Sequence, residues 1–218
     1  MVRDGLVQLI GQHPDLVCCG EADSVPTAQA AVEHKMPDLV VLDLRLKGGD
    51  GLELIKSLKS QIPKIKILIL SQYDAPMYAE RALRAGAMGY VIKEQAAAEV
   101  LQAIRTVLGG QVYLTRSMAS VLLQKMVGPG KTEGGRSGVE ALTDRELHVL
   151  NLLGGGLSTR QIANELKLSF KTVETHRENI KRKLGLRNAA ALVHYATQWG
   201  RGQAPSPAVA GASTRRAI

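Results

Sequence analysis

The most regular hydrophobic pattern in this chain runs from Leu142 to Tyr195, where four helix-period stretches follow one another with short breaks. Thr143 is placed to cap the first, with Glu146 three residues on, the spacing of a capping box. Leu147, Val149, Leu150, Leu152 and Leu153 give that helix an apolar face, and Gly154-Gly155-Gly156 ends it. Ser158 opens a short helix carrying Ile162, Ala163 and Leu166. After Lys167-Leu168-Ser169 a third helix begins near Phe170, and a fourth spans about Ala189 to Trp199. In the third, Val173, Ile180 and Leu184 fall on one stripe, and Lys171, Thr175, Glu178 and Arg182 fall opposite. Glu174 and Lys181 lie on one flank of that polar front, Thr172 and Asn179 on the other. Such a helix can enter a DNA major groove, its cations on phosphate and its carboxylates accepting from cytosine amino groups. An ordinary amphipathic surface helix would show the same two faces.

Residues 1–110 alternate between helix-period and strand-like runs, a pattern that predicts a parallel sheet with crossover helices. Helices are expected over Met1 to Gln12, Val25 to Lys35, Leu52 to Ser60, Pro76 to Ala85 and Ala96 to Leu108. Strands are expected over Leu16 to Ala22, Asp38 to Asp43, Ile65 to Leu70 and Gly89 to Ile92. Three strand ends then bring Asp43, Ser71 and Lys93 to the carboxyl edge, where such sheets bind ligands. A carboxylate there can act as a nucleophile toward a phosphoryl group, with a cation and a hydroxyl to receive the added charge. Strands also end in polar residues without any such role.

Composition narrows the field. The 218 residues allow one large or two small domains, and a net charge of +8 suits nucleic acid or an acidic membrane surface. No apolar run is long enough for a membrane span, and the N-terminus lacks the unbroken apolar stretch of a signal peptide, so a cytoplasmic location with no membrane partner is expected. Cys18 and Cys19 read as small buried hydrophobes, because neighbours on a strand point to opposite faces and cannot bridge. A helix over Ser117 to Met126 leads into a glycine-rich linker at 127–139, and 201–218 read as a disordered tail. Gly130-Lys131-Thr132 is not a phosphate loop, since Lys125 stands where the earlier glycine belongs.

Two segments resemble known families. Leu142-Thr143-x-Arg145-Glu146, Ile162-Ala163, Ser169-x-Lys171-Thr172-Val173-x-x-His176 and Asn179-Ile180-x-x-Lys183-Leu184 resemble the LuxR-type helix-turn-helix. The resemblance implies that Glu174, Thr175 and Glu178 approach bases, that Lys171, Thr172 and Lys181 approach the backbone, and that the fourth helix carries a dimer contact; His176 reads as structural. Pro37 to Asp43, Asp50-Gly51-Leu52-Glu53, Ala82-Leu83-x-Ala85-Gly86-Ala87-x-Gly89-Tyr90 and Lys93 resemble a response-regulator receiver domain of the NarL/FixJ class. By that resemblance Asp43 is the phosphoacceptor, Ser71 the hydroxyl that turns toward phosphate, Tyr90 the aromatic switch and Lys93 the phosphate-pairing lysine.

The receiver family begins with a hydrophobic strand and an acidic pair that holds Mg2+, and Met1 to Leu6 aligns beyond both. The expected fold is therefore a flavodoxin-like doubly wound α/β sheet without its first strand at 1–110, a connecting helix and linker at 111–139, an all-α four-helix LuxR-type domain at 140–200 and the tail at 201–218. Of the metal site only Asp43 remains, as a partial site, and Lys47 replaces the family's proline in the 44–51 loop. A late-called start would explain this, and so would a degenerate receiver on a regulator that works without phosphorylation. The expected function is a two-component transcription regulator, not an enzyme, with double-stranded DNA, a cognate histidine kinase, a second copy of itself on DNA and RNA polymerase as partners. A ligand-sensing LuxR-type receptor is a weaker fit, since 3% aromatic residues leave little to line an apolar pocket.

Overall fold

The computed structural model describes residues 2–44, 46, 49–72, 76–127 and 138–200. The expected linker, the tail and Lys47 lie largely or wholly outside these residues. The chain divides into two compact units, one N-terminal and one C-terminal.

The first unit is built on three parallel strands, β1 (Leu39–Leu42), β2 (Lys66–Ser71) and β3 (Gly89–Ile92), in the order β1-β2-β3. Leu42 pairs with Ile69 and Ser71 with Ile92. Ile67 to Leu70 of β2 are buried without a break, the continuous apolar run of a strand covered on both faces. Around the sheet lie α1 (Val2–Gly11), α2 (Val25–Lys35), α3 (Gly51–Gln61), α4 (Pro76–Ala85), α5 (Ala97–Leu108) and α6 (Arg116–Val127). α5 lays Val100, Ala103, Ile104 and Val107 against Leu68, Leu70 and Val91, and Leu6 and Ile10 of α1 join the same cluster. α3 and α4 pack on each other and bury Leu54, Ile55, Leu58, Tyr78, Ala79 and Ala82.

One predicted element is absent. Residues 16–22 form no strand, although their composition favours one. A strand exists only as part of a ladder, and among the described residues none lies beside this segment to share hydrogen bonds. Consequently Cys18 and Cys19 are exposed rather than buried, and Val17 is 85% exposed. Outside the predicted strands, Tyr113 makes an isolated bridge to Gly89.

The second unit holds α7 (Asp144–Gly154), α8 (Thr159–Leu166), α9 (Phe170–Leu184) and α10 (Ala189–Gly200), after a 3-10 turn at Gly138–Ala141. α7 packs against both α9 and α10, with Leu147, Val149, Leu150 and Leu153 facing inward. The approach of α10 is close. A Cβ added at Gly154 would overlap the Ala196 backbone carbonyl, and Trp199 Nε1 donates to Asn151 Oδ1 at 3.2 Å across the same junction.

Gly154→Ala should therefore lower the stability of the second unit by about 1–3 kcal/mol, the usual cost of overpacking. Alanine's higher helix propensity would by itself act in the opposite direction. A urea titration followed through the amide resonances of α7 to α10 checks this, and an unchanged or raised midpoint would show that the helices can separate without loss.

Candidate functional site

In the first unit the sheet register gathers the predicted carboxyl-edge residues. Asp43 follows β1 directly, Ser71 ends β2 and Lys93 follows β3. Lys93 Nζ donates to Asp43 Oδ2 at 2.6 Å, with the two side chains 14% and 28% exposed. The Lys93 amide donates to the Ser71 carbonyl at 2.8 Å, which holds the third strand end against the second. Ser71 is buried. Tyr90, one strand turn back, is fully buried, and its amide donates to the Tyr113 carbonyl at 3.0 Å. Asp50 caps α3, its Oδ1 accepting from the Leu52 amide at 2.8 Å. The edge thus offers a partly open carboxylate beside a cation and a hydroxyl-bearing side chain, on a rigid strand framework.

In the second unit α9 begins at a capped turn. Ser169 Oγ accepts from the Thr172 amide at 3.0 Å, and Gly185 ends the helix in the left-handed region at φ 65°. Val173 and Ile180 are fully buried, while Lys171, Thr175, Glu178 and Arg182 are exposed, as the period predicts. The flanking groups are engaged with one another. Glu178 pairs with Lys181 at 2.8 Å, and Arg182 donates to Asn179 Oδ1 at 3.1 Å. Thr175 Oγ1 donates back to the Lys171 carbonyl at 3.0 Å.

Two clusters that the sequence reading missed fix α9 in place. Glu146, 3% exposed, closes its capping box with the Thr143 amide at 2.8 Å and also accepts from Lys183 Nζ of α9 at 2.6 Å. Burial works against the charge on Glu146, but the bonds from Lys183 and Thr143 outweigh it and hold the carboxyl below its ordinary range. At the other end, the Thr159 hydroxyl of α8 donates to Glu174 Oε1 at 2.9 Å and accepts from Arg177, whose guanidinium lies 3.3 Å from Glu174. Glu174 therefore points across to α8 with two partners already in place. The capping box and the i,i+3 spacing of Glu174 and Arg177 are visible in the sequence; Lys183 and Thr159 carry no local signal, because their partners lie 15 to 37 residues away.

A parallel sheet ending in an aspartate–lysine pair, joined in one chain to a helix-turn-helix unit, defines a class of protein in which a phosphoacceptor controls a nucleic-acid reader. The comparisons agree with it. Residues 1–105 match the family described as response regulator receiver domain, and residues 140–196 match the bacterial regulatory proteins of the luxR family. The chain is 38% identical to the DNA-binding transcriptional activator DevR/DosR of Mycobacterium tuberculosis H37Rv, over 94% of this chain and 93% of that protein. It is 33% identical to the oxygen regulatory protein NreC of Staphylococcus epidermidis, over 90% of this chain and 92% of that one. Among solved structures, RcsB of Salmonella enterica serovar Typhimurium, bound to the rprA promoter with phosphomimetic BeF3-, aligns with a TM-score of 0.62 at 25% identity, over 89% of this chain and 92% of that one. The chain belongs to the response regulators that join a receiver domain to a LuxR-type DNA-binding domain, a family of transcription regulators rather than enzymes.

Receiver domains generally use Mg2+. Among the described residues no group of three or more His, Cys, Asp and Glu side chains is gathered to hold a metal ion, and the Asp43 carboxylate is already held by Lys93. Nor is any described helix long and apolar enough to cross a membrane.

His176 should give this unit a pH dependence. Burial holds its imidazole below the ordinary value of 6.5, Arg145 adds to that effect and Glu146 opposes it. The unfolded chain then takes up the proton at a higher pH than the folded one, so stability is fully present above about pH 6.5 and declines as pH falls toward the folded value. The urea midpoint of α7 to α10 should fall between pH 7.5 and 5.5, and His176→Gln should flatten the slope in that window. An equal slope in both proteins would assign the effect to another group.

Proposed function

We propose that Asp43 accepts a phosphoryl group from a histidine kinase and that this controls DNA reading by α9. In the step itself an Asp43 carboxylate oxygen attacks phosphorus, the phosphorus–nitrogen bond of the phosphohistidine breaks, and the electron pair leaves with the imidazole. Lys93 exchanges its bond to the carboxylate for one to the new phosphoryl oxygens, and Ser71 supplies a hydroxyl to the same group. The 2.6 Å pair between Lys93 and Asp43 is the observation that carries this reading. Tyr90 would be the residue whose packing differs between the two states, its inward position here being one of them. No step is assigned to Mg2+. Incubation with acetyl phosphate should place a hydroxylamine-sensitive phosphate on the parent and none on Asp43→Asn. Equal labelling of both would move the acceptor elsewhere.

On DNA, Thr175 and Glu178 would meet base edges, with Lys171, Thr172, Lys181 and Arg182 on or near phosphate. Glu174 would join the base contacts only on release from Arg177. The chain would bind as a dimer through α10, whose Val193 is 43% exposed, and would act in the cytoplasm, with RNA polymerase as a further contact. Thr175→Ala and Glu178→Ala should each shift sequence preference by about 1–3 kcal/mol at the contacted pair. Lys171→Ala should instead weaken binding to all sequences and reduce the salt slope by about one. Unaltered preference and salt slope in all three would place the reading face off α9.

A further inference from the structure

Phe170 is the only phenylalanine in the chain and the first residue of α9, and it is 52% exposed. It belongs to none of the cores described above. Val193 is the other large exposed hydrophobic of this unit among the described residues, and it lies on the face assigned to the second copy. Phe170 lies at the opposite kind of place. Spacings of four, seven and eleven residues put it on one stripe with Glu174, Arg177 and Lys181, beside exposed Lys171. An apolar protein partner seated there would have to strip water from the exposed Lys171 ammonium, at a cost that burying one ring would not offset. Nucleic acid would not, because a phosphate meets that cation while a base offers an apolar group beside it. In the major groove that apolar group is the C5-methyl of thymine, a recognised partner of phenylalanine.

We propose that Phe170 is a specificity-determining residue that packs against a thymine C5-methyl group in the major groove. The proposal rests on α9 being the reading helix and adds a base identity to it. The first turn of a recognition helix is the part that meets base edges, so the position is suitable, and an aromatic ring in contact with a methyl group removes both from water. Leucine would preserve part of the contact and alanine none of it.

The test changes the DNA rather than the fold. Duplexes enriched from a random pool by the full chain are resynthesised with each thymine in turn replaced by deoxyuridine, which deletes only the methyl. The parent should lose affinity at one position per half-site by about fourfold, the size expected for one buried methyl-sized group. Phe170→Ala should bind thymine and deoxyuridine duplexes alike at that position, and Phe170→Leu should keep part of the difference. Indifference of the parent to every replacement, or an undiminished preference for thymine in Phe170→Ala, would overturn the proposal. Lys171→Ala and Thr175→Ala are measured alongside. If they alter binding while Phe170→Ala does not alter the thymine preference, only the Phe170 assignment falls. If they too leave affinity and preference unchanged, α9 is not the reading helix and both assignments fall.

Discussion

The parallel pairing of β2 on both its sides is the constraint on which the first unit depends. Asp43, Ser71 and Lys93 are separated by 28 and 22 residues, and nothing local draws them together. They meet because Leu42 and Ile92 are registered against β2, so that each neighbouring strand ends within reach of the same edge. A slip of one residue on either side would turn the functional side chain to the opposite face. The burial of Ile67 to Leu70 is what makes such a slip costly, since it would move a strand's apolar residues out of the core. Chemistry at the edge and stability in the middle are thus the same packing arrangement seen at two places.

The second unit solves a different problem, that of presenting a charged helix at a fixed angle. α9 carries Lys171, Lys181, Arg182 and Lys183 near an exposed surface, and such side chains do not fix orientation by burial. Orientation comes from both ends instead. Near its C-terminus Lys183 is held by the buried Glu146, a carboxylate that also closes the cap of α7. Near its N-terminus Glu174 and Arg177 close on Thr159. Removal of Lys183 would strand a buried charge, a change that typically costs about 3–5 kcal/mol. Glycine at position 154 lets α10 approach α7 closely enough to cover the remaining side of the core.

Much of this was readable from residue order because caps and periodicities are local. Thr143, Ser169 and Gly154 mark helix ends from within a few residues, and the described helices begin and end close to where those signals lie. The apolar runs of β2 and β3 were equally plain. The failure at residues 16–22 has the opposite cause: Leu16 to Ala22 have strand composition, but a strand depends on a neighbour that composition cannot supply. The exposure of Cys18 and Cys19 follows from that same misplacement. At the sites, the Lys93–Asp43 pair was foreseeable from strand ends and resemblance. The engagement of Glu174 and Arg177 by Thr159 was not, because it joins two helices through side chains that look like ordinary surface residues in sequence.

The junction between α7 and α10 has an optical consequence. Trp199 is the only tryptophan, and its indole donates to Asn151 on the neighbouring helix. Its indole emission therefore comes wholly from the DNA-binding unit, while the five tyrosines are spread along the chain. Excited selectively, the chain reports the opening of its DNA-reading half with no signal from the sheet. The two halves can thus be followed separately in a single unlabelled sample, the reader by indole fluorescence and the receiver unit by the difference between that trace and the loss of total helical ellipticity.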